Sequence, residues 1–148
     1  RSLIPLSRQH HNGLALCVLT ARSLRDDTSA ESVARLAKKV VDRYEIELAN
    51  HFEIEERLLF PAIERYLGPQ ALVAELIAEH RAIEVMIEGL RQEPSETRLR
   101  DFGALLTRHI RREEGELFED VQKRLGRDTL DSLGVEIGER AVQVCFEP

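Results

Sequence analysis

The sequence is poor in the residues that mark disulfide-rich, metal-ribbon or disordered proteins. Among 148 residues it has no tryptophan, two cysteines, eight glycines and five prolines, while 32% of the residues are charged. Cys17 and Cys145 form no CxxC pair, the spacing that zinc sites built from cysteine pairs need. We expect both to be reduced thiols in a cytoplasmic protein, with a single disulfide bridge between them as the alternative. The low glycine and proline content favours an ordered, helix-rich chain.

Long apolar runs and an excess of basic residues are also absent. No run approaches the roughly 20 apolar residues that cross a bilayer, so no membrane partner is expected. The net charge is −6 and no basic stripe stands out, which argues against nucleic acid as a partner. The length fits one domain, residues 1–148, with one core.

Apolar residues recur at helical spacing, and strand-like alternation is absent. The pattern predicts helices over about 6–25, 30–67, 69–91 and 95–125, with a short helix over about 128–139. Short loops favour antiparallel neighbours, so the predicted fold is all-α: an antiparallel up-down-up-down four-helix bundle with a short C-terminal helix. We expect the short helix either to cap the bundle or to pair with a second subunit in a homodimer.

Three local signals accompany these helices. Thr28 or Ser29 is expected to cap the second helix, and Ser95 the fourth, by accepting a hydrogen bond from a free backbone N–H. Pro61 lies inside the second helical pattern and is expected to bend or interrupt it, because it lacks a backbone donor.

One template occurs twice, as "HFEIEERLLFP" at residues 51–61 and "HIRREEGELFE" at residues 109–119. Each copy reads His, an apolar residue, two variable residues, Glu-Glu, two further variable residues and Leu-Phe. The first glutamate of each copy follows its histidine by four residues, so both side chains lie on one helix face. Buried carboxylates require a cation beside them, and the apolar stripe offers few basic residues. The template therefore favours a metal site.

All five histidines lie on or beside the apolar stripe of a predicted long helix, and each long helix carries at least one. In a bundle such residues converge at one level of the core. The candidate metal ligands are His10, His11, His51, Glu55, His80, His109 and Glu113. Three further glutamates are candidates for bridging ions or for holding the ligands: Glu56, Glu84 and Glu114. A single buried histidine is more often a hydrogen-bonded core residue; the repeated glutamates favour metal.

The mixture of imidazoles and carboxylates indicates which metal to expect. It suits iron or manganese, with two ions bridged by Glu55 and Glu113. Cysteine pairs and the HExxH motif of zinc sites are missing, as is the Glu-x-x-His order of ferritin-like centres. The residues alone therefore predict two ions of iron or manganese, for which zinc could substitute.

Four segments in this order resemble the hemerythrin-like HHE cation-binding domain: "LSRQHHNGLAL", "HFEIEERLLFP", "EHRAI" and "HIRREEGELF". The resemblance runs from about Leu6 to Leu125. It implies an antiparallel four-helix bundle around a non-haem di-iron centre. It also implies a ligand set in which each template copy gives a histidine and a glutamate and the third helix one histidine: His51, Glu55, His80, His109 and Glu113.

Two adjacent residues, His10 and His11, are candidates for the metal ligand from the first helix. Leu14 follows His11 by three residues, as Ile83 follows His80, and this alignment favours His11. The apolar stripe of the helix favours His10 instead. We expect His11, with His10 as the alternative.

The chain departs from oxygen-carrying hemerythrins at two points. They add a histidine one turn before the third-helix ligand, where this chain has Leu76. Their fourth helix uses a carboxylate five residues after its histidine, which would select Glu114 rather than Glu113. The missing imidazole at Leu76 argues against reversible O2 carriage.

The expected function is therefore that of a hemerythrin-like non-haem di-iron protein that binds O2, NO or peroxide for sensing, buffering or iron storage. The alternative is a di-iron redox enzyme that reduces peroxide or NO or repairs iron centres. A binding protein is favoured over an enzyme, because the sequence identifies no route for electrons. A metal-free helical adaptor is the weakest alternative.

Overall fold

The computed structural model describes residues 2–142, and all regular secondary structure in this range is helical. The predicted all-α class is confirmed. The helices are α1 (Ile4–Asp26), α2 (residues 30–67), α3 (Ala71–Gln92), α4 (residues 96–124) and α5 (Arg127–Arg140). Cys17 is a buried free thiol. Cys145, which was also expected to be reduced, lies outside the described residues.

The helix ends follow local chemistry. Two of the three candidate caps are confirmed: Ser29 Oγ accepts from the backbone N–H of Ser32 at 3.2 Å, and Ser95 Oγ accepts from that of Arg98 at 3.1 Å. Gly68 ends α2 with a φ of 79°, a left-handed conformation that only glycine adopts without strain.

Two of the long helices contain wide π-helical turns. In α2 these are Tyr44–Leu48 and Glu55–Leu59, and in α4 the wide turn is Glu113–Phe118. The helix continues through Pro61, so the expected interruption does not occur; the expected bend stays a prediction. Pro61 is one of the first two residues of the α-helical part that follows the wide turn Glu55–Leu59, a position that tolerates a missing backbone N–H.

The four long helices contact one another in a closed ring: α1 packs on α2 and α4, and α3 packs on α2 and α4. This arrangement is consistent with a four-helix bundle. The helix α5 packs on α1 and on the Glu55–Leu59 turn, and buries Leu133 and Ile137 there. None of the helices within residues 2–142 has the length and apolar character needed to cross a membrane.

The apolar core has two parts. The upper cluster includes Leu16, Val40, Ile87, Phe102 and Leu106. The lower cluster includes Leu6, Leu59, Ile63, Leu76 and Phe118. Along each of the four long helices, the chain passes from one cluster to the other at or beside a buried histidine. The polar residues of the core therefore share one level.

Candidate metal centre

Six buried side chains form two overlapping groups at this level. In each group the potential ligand atoms all lie within 4.8 Å of one another. The first group, called site 1, contains His10, His51, Glu55 and Glu113, and the second, called site 2, contains Glu55, His80, His109 and Glu113. All four long helices contribute, and no member is more than 3% exposed. The two glutamates belong to both sites.

Most inner atoms of the six side chains approach one another closely without forming hydrogen bonds; the exception is His10 Nε2, which lies 2.7 Å from Glu113 Oε1. His51 Nε2 is 3.1 Å from Glu55 Oε2, His80 Nε2 is 3.0 Å from Glu55 Oε1, and His109 Nε2 is 3.2 Å from Glu113 Oε2. Within residues 2–142, these atoms have no hydrogen-bond partner.

Buried polar atoms without partners are costly, so their concentration at one point needs an explanation. An octahedral ion with bonds of about 2.1 Å places neighbouring ligand atoms about 3 Å apart. The observed spacings match that value. The residues present therefore fit bound metal ions.

The outer nitrogen of each histidine is held by a second polar group. The pairs are His10 Nδ1 with Glu114 at 2.5 Å, His51 Nδ1 with Gln9 at 3.0 Å, His80 Nδ1 with Glu56 at 2.7 Å, and His109 Nδ1 with Glu79 at 2.7 Å. A ring that donates from Nδ1 keeps the lone pair of Nε2 free for a metal ion. These contacts therefore orient all four rings towards the centre.

The outer carboxylates are themselves fixed. Glu56 accepts a hydrogen bond from Arg81, and Glu79 accepts one from Arg112 at 3.2 Å. Glu114 accepts from Ser7 Oγ at 2.8 Å. Partners of this kind limit the rotation of ligand side chains and make the imidazoles better donors to the metal.

The two central glutamates differ in charge. Burial raises the pKa of Glu55 well above its ordinary value, and the neighbouring charge of Glu113 adds to the effect. Burial also acts on Glu113, but its close contacts with Glu55, His10 and His109 outweigh burial and hold the pKa of Glu113 well below its ordinary value. Without metal, Glu55 therefore carries a proton and Glu113 carries the charge. A metal ion would take the place of that proton.

The same buried environment also shifts the pKa values of two histidines. Burial lowers the pKa of His80 to about 2, which keeps this ring neutral and able to bind metal. For His10, burial and the nearby His51 ring lower the pKa, but the hydrogen bonds to Glu113 and Glu114 outweigh them and raise it.

Aromatic rings cover the centre. Phe52 stacks on His80 with ring centroids 3.9 Å apart, and Phe118 stacks on His10 at 5.2 Å. Phe60 and Phe118, which close the two template copies, both lie in the lower cluster. The repeated Leu-Phe therefore packs beneath the polar level.

Two of the sequence-based candidates are not among the six buried side chains. His11 is exposed, while His10 lies in the centre, because the buried stripe of α1 passes through Leu6, His10 and Gly13. The structure therefore brings His10 to the centre and not His11, the residue that the alignment favoured. Glu84, a candidate for bridging ions or holding the ligands, has a side chain that is 35% exposed and pairs with Arg81.

The other candidates separate by distance from the centre. Glu113 belongs to both sites, whereas Glu114 and Glu56 reach the centre through the outer nitrogens of His10 and His80. Leu76 is fully buried in the lower cluster, so its position supplies an apolar wall.

The sequence reasoning missed Gln9 and Glu79. Each directly precedes a histidine of the centre, but each contacts the histidine of another helix: Gln9 contacts His51, and Glu79 contacts His109. In the sequence, each of them is a polar residue next to the buried stripe of its helix. Ordinary surface residues have the same pattern, so it does not single them out.

A family model described as the hemerythrin HHE cation binding domain matches residues 4–121. That stretch contains all six residues of sites 1 and 2. Comparison with curated proteins and with solved structures gives no match.

Proposed function

Since the chain belongs to the hemerythrin HHE cation-binding domain family, we propose that it is a non-haem di-iron protein that binds O2, NO or peroxide for sensing, buffering or iron storage. One observation supports this above the others: within residues 2–142, imidazole nitrogens and carboxylate oxygens without hydrogen-bond partners converge in a buried space. A helical adaptor without metal would leave these atoms at a large energetic cost.

Each site offers two imidazoles and two carboxylates. One iron ion would be held by His10 and His51, and the other by His80 and His109, with Glu55 and Glu113 bridging both. This nitrogen and oxygen mixture suits iron or manganese. Four protein ligands do not fill an octahedral shell, so bound iron would supply open positions for a small ligand.

The surrounding residues restrict which ligand can reach those positions. Leu76 and Phe118 are at most 1% exposed, and Phe52 is 3% exposed, so the walls are apolar and closed to bulk water. Such a space suits diatomic molecules or peroxide, which need little polar recognition, better than a larger organic substrate. This enclosure supports a binding role over turnover.

The proposal also covers the order and direction of the four long helices. The closed ring of contacts among α1, α2, α3 and α4 and the short loops between them support a single domain with an antiparallel up-down-up-down arrangement. In that arrangement each template copy brings one histidine and one glutamate to the same level.

The test is anaerobic iron loading followed by metal analysis and optical spectroscopy in air. We expect about two iron ions per chain and a near-ultraviolet band of an oxygen-bridged iron pair. His10→Ala should lose iron from site 1, whereas the neighbouring His11→Ala should bind as much iron as the unmodified protein. Folded protein that takes up no iron would refute the proposal and leave a metal-free adaptor. Loss of iron in His11→Ala alone would refute the ligand assignment.

A further inference from the structure

We infer that the backbone of residues 140–142, here called the C-terminal segment, sets the tautomer of His51 and thereby the metal affinity of site 1. The inference rests on the proposed function for its metal readout. It arises from a chain of hydrogen bonds that runs from this segment through Asn50 and Gln9 to His51.

The first link is the contact between Gln9 and His51. Gln9 is 1% exposed, and its Oε1 lies 3.0 Å from His51 Nδ1. The other three histidines of the centre contact carboxylates at this position. An ionised carboxylate only accepts, so it forces the proton onto Nδ1. An amide can present either its oxygen or its nitrogen, so for His51 the orientation of Gln9 decides.

The second link fixes the amide of Gln9. Its Nε2 donates to Asn50 Oδ1 at 2.9 Å and to the backbone oxygen of Val142 at 3.2 Å. Both partners are acceptors, so the nitrogen must face them and the oxygen must face His51. A reversed amide would set its oxygen against two acceptors. It would also donate to His51 Nδ1 and move the ring proton to Nε2, where the ion has to bind.

The third link fixes Asn50. Its Nδ2 donates to the backbone oxygen of Arg140 at 3.0 Å, and its Oδ1 accepts from the backbone N–H of Val142 at 2.9 Å. Backbone groups cannot exchange donor and acceptor roles. The C-terminal segment therefore determines the direction of both amides, and through them the tautomer of His51.

Removal of the segment should affect the two sites differently. Without it, both amides lose partners that favour one orientation, and His51 becomes a mixture of tautomers. Loss of a group that holds a metal-binding histidine typically weakens metal binding by about 10–100-fold. Site 2 should be unchanged, because His80 and His109 are held by carboxylates.

The experiment compares three versions of the chain: full length, residues 1–142 and residues 1–139. Anaerobic iron(II) titration against a competing chelator gives the two affinities. We expect residues 1–142 to match the full chain and residues 1–139 to lose about 10–100-fold at one site only. Gln9→Glu in the shortest version should restore the lost affinity, because a carboxylate needs no external group to orient it. General damage to the fold would not be repaired by that change.

A second pair of variants keeps the whole chain, in case the shortest version does not fold. Asn50→Asp gives up the donor to Arg140 but keeps an acceptor for Gln9 and for Val142, and should weaken site 1 less than Asn50→Leu does. Asn50→Leu removes the hydrogen bonds that connect the C-terminal segment to Gln9 and should weaken site 1 alone. Equal affinities in these two variants would overturn the inference.

Nitrogen-15 NMR of the His51 ring in metal-free protein separates this inference from the proposed function. We expect Nδ1–H in the full chain and a mixture with Nε2–H in Asn50→Leu. That result in a protein that binds no iron would refute the di-iron proposal alone. If Asn50→Leu keeps both iron affinities and the His51 tautomer is unchanged, only the inference that the C-terminal segment sets this tautomer is refuted.

Discussion

Glu55→Gln should separate the stability of the metal-free protein from its capacity for metal. Burial, reinforced by the charge of Glu113, raises the pKa of Glu55, so without metal this side chain is neutral. Glutamine is neutral and has the same shape. We therefore expect the metal-free variant to unfold with a free energy within about 1 kcal/mol of the unmodified protein.

The effect on the metal-bound protein should be much larger. A ligand that binds only the folded state stabilises it by about 2.7 kcal/mol at a hundredfold excess over its Kd, so two filled sites give roughly 5 kcal/mol. At this chain length that corresponds to a rise in Tm of about 10–20 °C. Glu55 supplies an oxygen atom to both sites, so Glu55→Gln should lose most of this rise.

The assay is thermal unfolding followed by circular dichroism, with and without anaerobic iron(II). Glu53→Gln is the matched control, because Glu53 lies two residues earlier on the same helix and its side chain is 60% exposed. The control should keep the full rise in Tm. A Glu55→Gln variant that also keeps it, or one that loses several kcal/mol before metal is added, would refute the reasoning.

Three further changes test separate parts of the structure. Glu79→Gln should weaken iron binding at site 2 by about 10–100-fold in chelator competition, because Glu79 holds His109. Phe102→Ala should lower the free energy of unfolding in urea by about 3–5 kcal/mol, because the ring is fully buried in the upper cluster. Ser95→Ala should lower it by about 1 kcal/mol, since the backbone N–H of Arg98 loses its cap.

Each of these changes has its own control. Glu88→Gln should leave both iron affinities unchanged, because the side chain of Glu88 is 54% exposed and pairs with Arg91, away from the centre; an equal loss there would contradict the role of Glu79. Phe102→Leu should cost less than Phe102→Ala, and both should keep two iron ions. For the cap, Ser95→Asp should retain the stability that Ser95→Ala loses.

The sequence predicted what depends on neighbours within one helix. The helical class follows from apolar spacing, and the caps at Ser29 and Ser95 follow from residues three positions apart. The shared face of His51 and Glu55 has the same origin, since residues four apart on a helix are always adjacent.

The features that the sequence could not predict depend on contacts between helices. Gln9 and Glu79 act on histidines of other helices, and only the packing of the bundle shows which ring each one reaches. The choice between His10 and His11 depended on the rotation of α1 about its axis, which small differences in the buried stripe decide. The helix continues through Pro61 directly after a wide turn, Glu55–Leu59, that local propensity does not reveal.

We propose that this chain holds two iron ions between the six side chains of sites 1 and 2. Crystals grown with iron(II) under anaerobic conditions, measured on both sides of the iron absorption edge, test it directly. We predict two anomalous peaks per chain, one among the residues of site 1 and one among those of site 2, with Glu55 and Glu113 between them. A single peak, or iron bound only elsewhere on the chain, would contradict this account.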